Sequence, residues 1–366
     1  MAQATENLTA ADSTIFGQLS KFDHEQMVFC NDNATGLKAI ICIHNTVLGP
    51  GLGGTRFYNY ANETDAITDV LRLARGMSFK SSIAGLNLGG AKAVIMGDPN
   101  KLKSEAFFRK FGRFIENLNG KYITAEDVGT TIKDMEYIKM ETDSVVGLSE
   151  NRGGGGDPSP VTAFGVYMGM KASAKETWGS DSLSGKRIAV QGIGKVGEHL
   201  VSYLTKEGAK VYIADVNQES LARVSKEHKA EIVAKDSIYG LDVDIFAPCA
   251  MGAVLNTENI NQLKVSIICG AANNQLADEV THGQLISSKN INYAPDFLVN
   301  SGGIINVYSE LVGYNREIAY AQTENIYQQT LEIYRKAKED KTTTHQAALT
   351  IAQKRIHDYA KVKSTY

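Results

Sequence analysis

The chain has 366 residues and the composition of a globular protein, with 43% hydrophobic and 22% charged residues. At roughly 150 residues per domain, this length predicts about two domains, each with its own core. The formal net charge is −3, so the chain has no basic surplus. Nucleic-acid-binding proteins normally carry such a surplus, and the charge therefore favours a small-molecule partner and no nucleic acid.

Cysteine usage and targeting signals bear on the compartment. The four cysteines form no Cys-x-x-Cys pair, which disfavours a disulfide framework or a zinc site. The amino-terminal residues show no basic segment followed by an apolar core, and no segment approaches the ~20 apolar residues that cross a bilayer. These features predict a reduced, cytoplasmic protein with no membrane segment. The histidines lack metal-ligand spacing, and we expect no metal site.

The first third of the chain alternates strand and helix signals. An apolar run at residues 37–46 predicts a strand, and the glycine-rich segment 49–54 predicts a turn after it. Apolar residues at three- and four-residue spacing then predict a helix over 62–80. Asn62 and Thr64 are the candidates for its N-cap.

A further helix and strand lead to a domain boundary. Ser104 precedes a phenylalanine-rich helix that is expected to end at Gly120, and a strand follows at 121–127. Glycine and proline at residues 153–160 interrupt every periodicity, as an inter-domain hinge would. We therefore predict a first domain over residues 1–150.

The second part of the chain has a different pattern. Short apolar strands alternate with helical stretches over residues 151–330, which predicts a parallel sheet with crossover helices. Two polar amphipathic helices, at 324–338 and 344–361, follow without a further strand. We expect these helices to return to the first domain, so that residues from about 331 to 366 complete it. The predicted fold class is α/β with two domains.

The strongest motif in the second domain is Gly192-Ile-Gly194-Lys-Val-Gly197, directly after an apolar strand and at the start of a helix. Glycines at this spacing permit a tight turn and the close approach of a pyrophosphate to a helix N-terminus. Asp215 ends the next strand, 18 residues after Gly197, near the spacing of the carboxylate that binds the adenosine ribose. A carboxylate there repels a 2′-phosphate. The motif thus predicts a Rossmann-type domain that binds NAD rather than NADP.

Two lysines and a carboxylate in the first domain indicate acid–base chemistry. Lys80 and Lys92 stand amid apolar and glycine residues, whereas most lysines are solvated surface residues. Asp127 follows a strand and precedes another helix. As a structural residue it would be a helix N-cap, in competition with Thr130 and Thr131. As a functional residue it would join the lysines in general acid–base work.

Longer segments resemble one protein family. Residues 86–99, LNLGGAKAVIMGDP, match the active-site signature of the Glu/Leu/Phe/Val dehydrogenases, and TAEDVGTT, GIGKVG, AANNQL and VNSGGIINV follow in the family's order. The resemblance covers nearly the whole chain and is strongest to the leucine-acting members. It implies an N-terminal α/β substrate and oligomerisation domain, a Rossmann-type NAD domain, and an active site in the cleft between them. It also implies reversible, NAD-dependent oxidative deamination of L-leucine and other branched-chain L-amino acids.

The resemblance also implies residue roles. Lys80 would bind the substrate carboxylate, Lys92 would be the catalytic lysine, and Asp127 would exchange protons with the substrate amino group. Glycines at two positions would let the backbone approach the substrate closely. The implied substrate-binding residues besides Lys80 are Leu52, Gly53, Gly54, Met77, Ala125, Asn300, Ile304 and Val307. The implied cofactor-binding residues are Thr162, Gly192, Gly194, Lys195, Val196, Gly197, Asp215, Ala271 and Asn273.

Leu52 bears on the choice of substrate. Glutamate-acting relatives place a lysine at this position, and a glutamate side chain against leucine would lose its ion pair at a cost of roughly several kcal/mol. Ile304 and Val307 would extend an aliphatic pocket, although their helical spacing is equally typical of core packing. Phenylalanine or valine dehydrogenase activity therefore stays open, as does a non-catalytic dinucleotide-binding protein on the same scaffold. The resemblance further implies a homo-oligomer, commonly an octamer.

Overall fold

A computed structural model describes residues 14–363. These residues form two compact units. Unit 1 contains the described residues up to Gly156 together with those from Arg355 onward, and unit 2 is Asp157–Lys354. Most of the amino-terminal segment for which no targeting signal is predicted lies outside the described residues. Among the described helices, none is long and apolar enough to cross a membrane.

Within its described residues, unit 1 is a mixed sheet with helices. Its strands are β1 Gln26–Asp32, β2 Leu37–Asn45, β3 Gly51–Leu52, β4 Thr55–Tyr58, β5 Gly89–Met96 and β6 Tyr122–Ile123. Its helices are α1 Ile15–Lys21, α2 Glu63–Ile83, α3 Pro99–Leu102, α4 Glu105–Glu116 and α5 Ile132–Lys139, with a 3-10 turn at Glu150–Arg152. The strand order is β1-β2-β5-β3-β6, and β4 also pairs with β5. The β1–β2 and β2–β5 pairs are antiparallel, whereas β3 and β4 run parallel to β5.

The sheet of unit 1 is buried on both faces. Ile41 of β2 packs in one core cluster with Phe107 of α4, and its neighbours Ile40 and Cys42 pack in another cluster with Val70 of α2. Successive strand residues point to opposite faces, so a strand covered on both faces has a continuous apolar sequence. This packing explains why the strand signal at residues 37–46 contains little alternation.

In unit 1 the predicted first residues of the helices agree with the structure better than the predicted last residues. Asn62 and Ser104 are the N-caps of α2 and α4, and each side chain accepts a backbone N–H of the first turn. α2 runs beyond its expected end to Ile83, and α4 ends at a C-cap of Asn117 instead of Gly120. Gly120 has a φ of +76° in the turn that leads to β6. Capping signals are local, whereas a helix end depends on the packing of the segment that follows.

Two short strands differ from expectation. The glycine-rich segment 49–54, expected to be only a turn, contains β3, which lies between β5 and β6 in the sheet. The strand expected at 121–127 is limited to β6. Pairing with distant strands decides both outcomes, because local β-propensity is strongly dependent on context.

Unit 2 contains a parallel sheet of six strands within its described residues. The strands are β7 Arg187–Gln191, β8 Lys210–Ala214, β9 Glu231–Ile232, β10 Ile245–Pro248, β11 Ile267–Ile268 and β12 Asn292–Tyr293. The helices are α6 Ser159–Trp178, α7 Lys195–Lys206, α8 Gln218–His228, α9 Thr257–Gln262, α10 Glu279–Ser288, α11 Asp296–Val299, α12 Gly302–Glu310, α13 Arg316–Glu324, α14 Ile326–Asp340 and the first part of α15 Thr344–Lys363, with a 3-10 turn at Lys235–Gly240. The residues of α15 from Arg355 onward belong to unit 1. The strand order β12-β11-β10-β7-β8-β9 is that of a Rossmann-type sheet, with the reversal of strand order at β7. The predicted α/β fold class is confirmed.

The carboxyl-terminal region differs from the predicted domain organisation. Residues from about 331 to 366 are expected in the first domain, but only those from Arg355 onward belong to unit 1. α14 packs on α6 of unit 2, where the buried Tyr334 hydroxyl lies 2.8 Å from Ser173 Oγ. The Arg355 guanidinium, in contrast, donates to backbone carbonyls at the end of α2 and in the turn that follows it. An amphipathic pattern reveals an apolar face but does not identify the surface that covers it.

Candidate active site

Lys92 and Asp127 form an ion pair in unit 1, with 2.7 Å between Nζ and Oδ2. Lys92 lies in β5 opposite Cys42 of β2, and only 8% of its side chain is exposed. Asp127 lies in the loop after β6, and 21% of its side chain is exposed. The fold thus brings together the two residues that the family resemblance marks as catalytic.

Hydrogen bonds fix the loop that carries Asp127. Its backbone N–H donates to Thr130 Oγ1 at 2.9 Å, and that hydroxyl is within donating distance, 3.0 Å, of the Thr55 carbonyl. Thr131 is the N-cap of α5. Since Thr131 takes the capping role, the Asp127 carboxylate is available to contact Lys92.

A second cation, which the sequence analysis did not single out, faces the same carboxylate. Arg56 Nε lies 3.3 Å from Asp127 Oδ2. Burial by itself raises the pKa of the Asp127 carboxyl, but the opposing effects of Lys92 and Arg56 prevail, and the pKa lies below its ordinary value. Asp127 is therefore a carboxylate at neutral pH. The alternation of β4, with a charged residue between two buried ones, was the signal that could have identified Arg56.

Gly53 and Gly54 stand where the protein leaves no room for a side chain. A Cβ on Gly53 would lie 1.7 Å from the Ala91 carbonyl oxygen and 3.3 Å from Met77 Cγ. A Cβ on Gly54 would lie 3.0 Å from Asp127 Cβ and closer still to a backbone oxygen of the same loop. Packing of this segment against β5 and the Asp127 loop therefore requires glycine, whatever further role these residues have towards a substrate.

The other predicted substrate residues of unit 1 come from three segments. Leu52 is fully buried in β3, between β5 and β6. Met77 and Lys80 are half-buried and lie about one turn apart on α2. Ala125 is half-buried just before Asp127. α2 packs directly on β5, and the helix that carries Lys80 therefore lies against the strand that carries Lys92.

Each of the three motif glycines of unit 2 has a different structural role. Gly192 has a φ of +100°, and a Cβ there would lie 2.6 Å from the Ala250 nitrogen. Gly194 is the N-cap of α7, with open space where a Cβ would stand and no side-chain cap. A Cβ on Gly197 would lie 2.0 Å from the Gly192 carbonyl oxygen. The first glycine makes the turn, the second leaves the helix N-terminus accessible, and the third packs the helix on the turn.

Asp215 lies beside the same turn. Its Oδ2 accepts the Ile193 N–H at 2.6 Å, and its Oδ1 accepts the Asn217 N–H at 2.8 Å. The carboxylate at the end of β8 is therefore held next to the glycine-rich segment. The structure thus places Asp215 beside the glycine-rich turn, and its role towards a ribose stays a prediction.

Of the other predicted cofactor-binding residues of unit 2, two contact Asn300, a predicted substrate-binding residue, and two lie at the start of α7. Asn300 Nδ2 donates to the Ala271 carbonyl at 3.1 Å and to Asn273 Oδ1 at 2.7 Å, which joins these three residues in one group. Lys195 is exposed and Val196 is half-buried at the start of α7.

Thr162 and the predicted pocket residues of α12 lie close in the fold of unit 2. Thr162 Oγ1 would be 2.9 Å from a Cβ on Gly303, which follows the first residue of α12. Ile304 and Val307 are buried on α12. Their burial is compatible with core packing and with the lining of a pocket.

Known proteins resemble this chain along almost all of its length. The Glu/Leu/Phe/Val dehydrogenase dimerisation domain matches residues 24–144, and the Glutamate/Leucine/Phenylalanine/Valine dehydrogenase domain matches residues 153–363. The chain is 54% identical over 352 residues to a leucine dehydrogenase of Bacillus cereus, covering 96% of each protein. It is 46% identical to a valine dehydrogenase of Streptomyces virginiae, covering 96% of this chain and 99% of the relative. A crystal structure of L-tryptophan dehydrogenase from Nostoc punctiforme matches with a TM-score of 0.85 and 42% identity, over 95% of this chain and 100% of that one.

The two-unit α/β fold with a Rossmann-type sheet, together with these matches, defines an amino-acid dehydrogenase. The chain belongs to the Glu/Leu/Phe/Val dehydrogenase family. The expected family and enzyme class are thus confirmed.

Proposed function

We propose that this enzyme catalyses the reversible oxidative deamination of L-leucine and of other branched-chain L-amino acids. The amino acid, NAD⁺ and water would give the 2-oxo acid, ammonium, NADH and a proton. The observation that carries the proposal is the ion pair between the buried Lys92 and the half-buried Asp127, 2.7 Å apart. The higher identity to a leucine dehydrogenase, 54%, than to a valine dehydrogenase, 46%, supports leucine as the substrate.

Lys80 would bind the α-carboxylate of the amino acid through a charge-assisted contact. Asp127, ionised at neutral pH because Lys92 and Arg56 face it, would take a proton from the substrate ammonium. NAD⁺, when bound, would accept the hydride from Cα. Lys92 in its neutral form would then take a proton from water as the water adds to the iminium carbon, and its ammonium form would stabilise the carbinolamine. Asp127 would return its proton to the carbinolamine nitrogen, and the C–N bond would then break. The hydroxyl proton would pass to the departing ammonia, which gives ammonium and the 2-oxo acid, and Lys92 would release its proton to solvent.

Leu52 supports an aliphatic substrate. It is fully buried in unit 1 at the position where glutamate-acting relatives have a lysine. Met77 and Ala125 of unit 1, with Ile304 and Val307 of unit 2, would complete the contacts to the substrate side chain, and Asn300 would assist in binding the substrate. One methylene changes the discrimination by about 1–3 kcal/mol, so isoleucine and valine are expected to react as well.

The glycine-rich turn of unit 2 fits a dinucleotide. The uncapped N-terminus of α7 and the open space at Gly194 suit a pyrophosphate. Asp215 would bind the adenosine ribose and disfavour the 2′-phosphate of NADP. The other residues proposed to contact NAD are Thr162, Gly192, Lys195, Val196, Gly197, Ala271 and Asn273. We further propose that the enzyme acts in the cytoplasm as a homo-oligomer, with an octamer as the expected form.

The test is the initial rate of reduced dinucleotide formation with leucine, isoleucine, valine, phenylalanine and glutamate at equal concentration, each with NAD and with NADP. The highest rate is expected with leucine and NAD. A maximum with phenylalanine would refute the proposed side-chain specificity while retaining the mechanism. Absence of turnover with every amino acid, in protein that binds NADH by fluorescence titration, would overturn the proposed function.

A further inference from the structure

Arg56 lies on the same face of the unit 1 sheet as Lys92. In β4, Phe57 points into the core cluster formed with α4, and Arg56 therefore points to the opposite face. Arg56 pairs across the sheet with Val94 of β5, which belongs to the cluster formed with α2. Lys92 is two residues from Val94 on the same strand and shares its face. Strand alternation thus explains how two cations reach one carboxylate.

The Arg56 guanidinium bridges two carboxylates. Its Nε lies 3.3 Å from Asp127 Oδ2, and its Nη1 donates to Asp69 Oδ2 at 2.8 Å. The Tyr60 hydroxyl donates to the same oxygen of Asp69 at 2.7 Å. The side chains of Arg56 and Asp69 are only 24% and 16% exposed, which limits the screening of their charges by solvent. Charges therefore alternate in sign from Lys92 through Asp127 and Arg56 to Asp69.

We propose that Arg56 is a positioning residue for Asp127, held in place by Asp69 and Tyr60. This inference rests on the proposed function, because it concerns the carboxylate and the lysine of the same site. A lysine that exchanges a proton in each cycle loses its positive charge for part of that cycle. Arginine stays charged throughout. Arg56 thus keeps a fixed cation beside Asp127 and holds its orientation throughout the cycle, including the steps in which Lys92 is neutral.

The immediate surroundings of Asp127 support this assignment. Lys92 faces it from β5, Arg56 from β4, and the Tyr122 hydroxyl of β6 is also close enough to interact electrostatically. Tyr122 donates its hydroxyl to the Gly53 carbonyl at 2.9 Å. It is a neutral phenol whose pKa burial raises, so it supplies no permanent charge. Tyr60, which also interacts electrostatically with Asp127, is likewise a neutral phenol whose pKa burial raises. Arg56 is therefore the neighbouring cation that does not exchange protons at working pH.

The test compares the pH profiles of kcat and kcat/KM for Arg56→Gln and Arg56→Lys. Removal of the fixed cation in R56Q is expected to lower kcat by ~10–100-fold and to move the acidic limb of kcat/KM to higher pH. R56K retains the charge, so its acidic limb should remain near that of the unmodified enzyme although kcat falls. Asp69→Asn retains the charge of Arg56 but weakens the contact that holds its guanidinium in place. We expect a smaller loss in kcat than in R56Q, without loss of NADH binding.

Arg109→Gln is the matched control, since Arg109 bridges Glu105 and Glu141 in the same unit. It is expected to leave the pH profile unchanged. Folding of each variant is checked by circular dichroism and NADH binding. An R56Q enzyme with an unchanged acidic limb and kcat would overturn the inference.

Asp127→Asn, measured in parallel, separates this inference from the proposed function. Full turnover in D127N would refute the proposed role of Asp127 and with it the role of Arg56. Loss of turnover in D127N together with an unaltered R56Q profile would refute only the role of Arg56.

Discussion

Unit 2 presents its dinucleotide motif through the backbone, whereas unit 1 presents charged side chains. In unit 2 the turn at Gly192, the open N-terminus at Gly194 and the packing at Gly197 come from one short segment. In unit 1 the ion pair joins Lys92 of β5 to Asp127 of a distant loop. A backbone site can be encoded by consecutive residues, but a side-chain site needs the sheet to bring separate segments together.

The two units should also differ in how they tolerate substitution. In unit 1 the carboxylate is held by ion pairs that the fold must align, and Gly54 packs against the same loop. In unit 2 the space at Gly194 is open, while that at Gly192 is filled by its neighbours. Substitutions in unit 1 should therefore impair the chemical step without impairing cofactor binding. Substitutions at Gly192 and Gly194 should affect stability and cofactor binding separately.

The largest expected effect is that of Lys92→Ala. If unit 1 carries the chemistry and unit 2 the cofactor, this variant should lose roughly 1000-fold in kcat, because it removes the acid–base group. NADH affinity, measured by fluorescence titration, should be unchanged. The control is Lys101→Ala, a lysine of unit 1 whose side chain is 81% exposed. Appreciable turnover in K92A would contradict the assignment of the chemical step to Lys92 of unit 1.

A pair of glycine substitutions tests the backbone site of unit 2. Gly192→Ala combines a φ of +100° with a Cβ 2.6 Å from the Ala250 nitrogen, so we expect a loss of about 1–3 kcal/mol in the free energy of unfolding. Gly194→Ala meets open space. It should retain stability but bind NADH more weakly, since its methyl occupies the approach to the helix N-terminus. Chemical denaturation measures the stability of both variants, and NADH titration measures their affinity for the dinucleotide. Equal stability losses in the two variants would refute the prediction.

An effect is also expected in the acid stability of unit 1. Burial, with His24 and Arg75 nearby, lowers the pKa of His44 to about 4, against about 6.5 in an unfolded chain. Between these values the unfolded chain binds a proton that the folded unit does not. Stability should therefore fall as the pH falls from 6.5 towards 4, by up to about 3 kcal/mol in total.

His44→Gln should show less of this acid-dependent loss than the unmodified chain, whereas the exposed His357→Gln should not differ from it. Unfolding free energies at pH 7.5 and 5.0 measure the effect. His44 bonds to Ser78 of α2, so hydrogen exchange, corrected for its intrinsic pH dependence, should rise in unit 1 more than in unit 2. An equal acid-dependent loss in H44Q and the unmodified chain would count against this assignment.

The amino-acid sequence by itself determined the features that depend on near neighbours. The caps at Asn62 and Ser104, the parallel sheet of unit 2 and the glycine-rich turn were all predictable from the chain. Capping, hydrophobic periodicity and turn chemistry act over a few residues. The segments matching the dehydrogenase family also identify the enzyme class without any knowledge of the geometry.

Only the tertiary structure decided the features that depend on distant segments. It placed Arg56 beside Asp127, gave Gly53 a packing reason, and assigned α14 to unit 2 instead of unit 1. Each of these outcomes arises from contacts between residues far apart in the chain. The sequence carries the apolar faces and charges that make such contacts favourable, but only the folded arrangement specifies which of them meet.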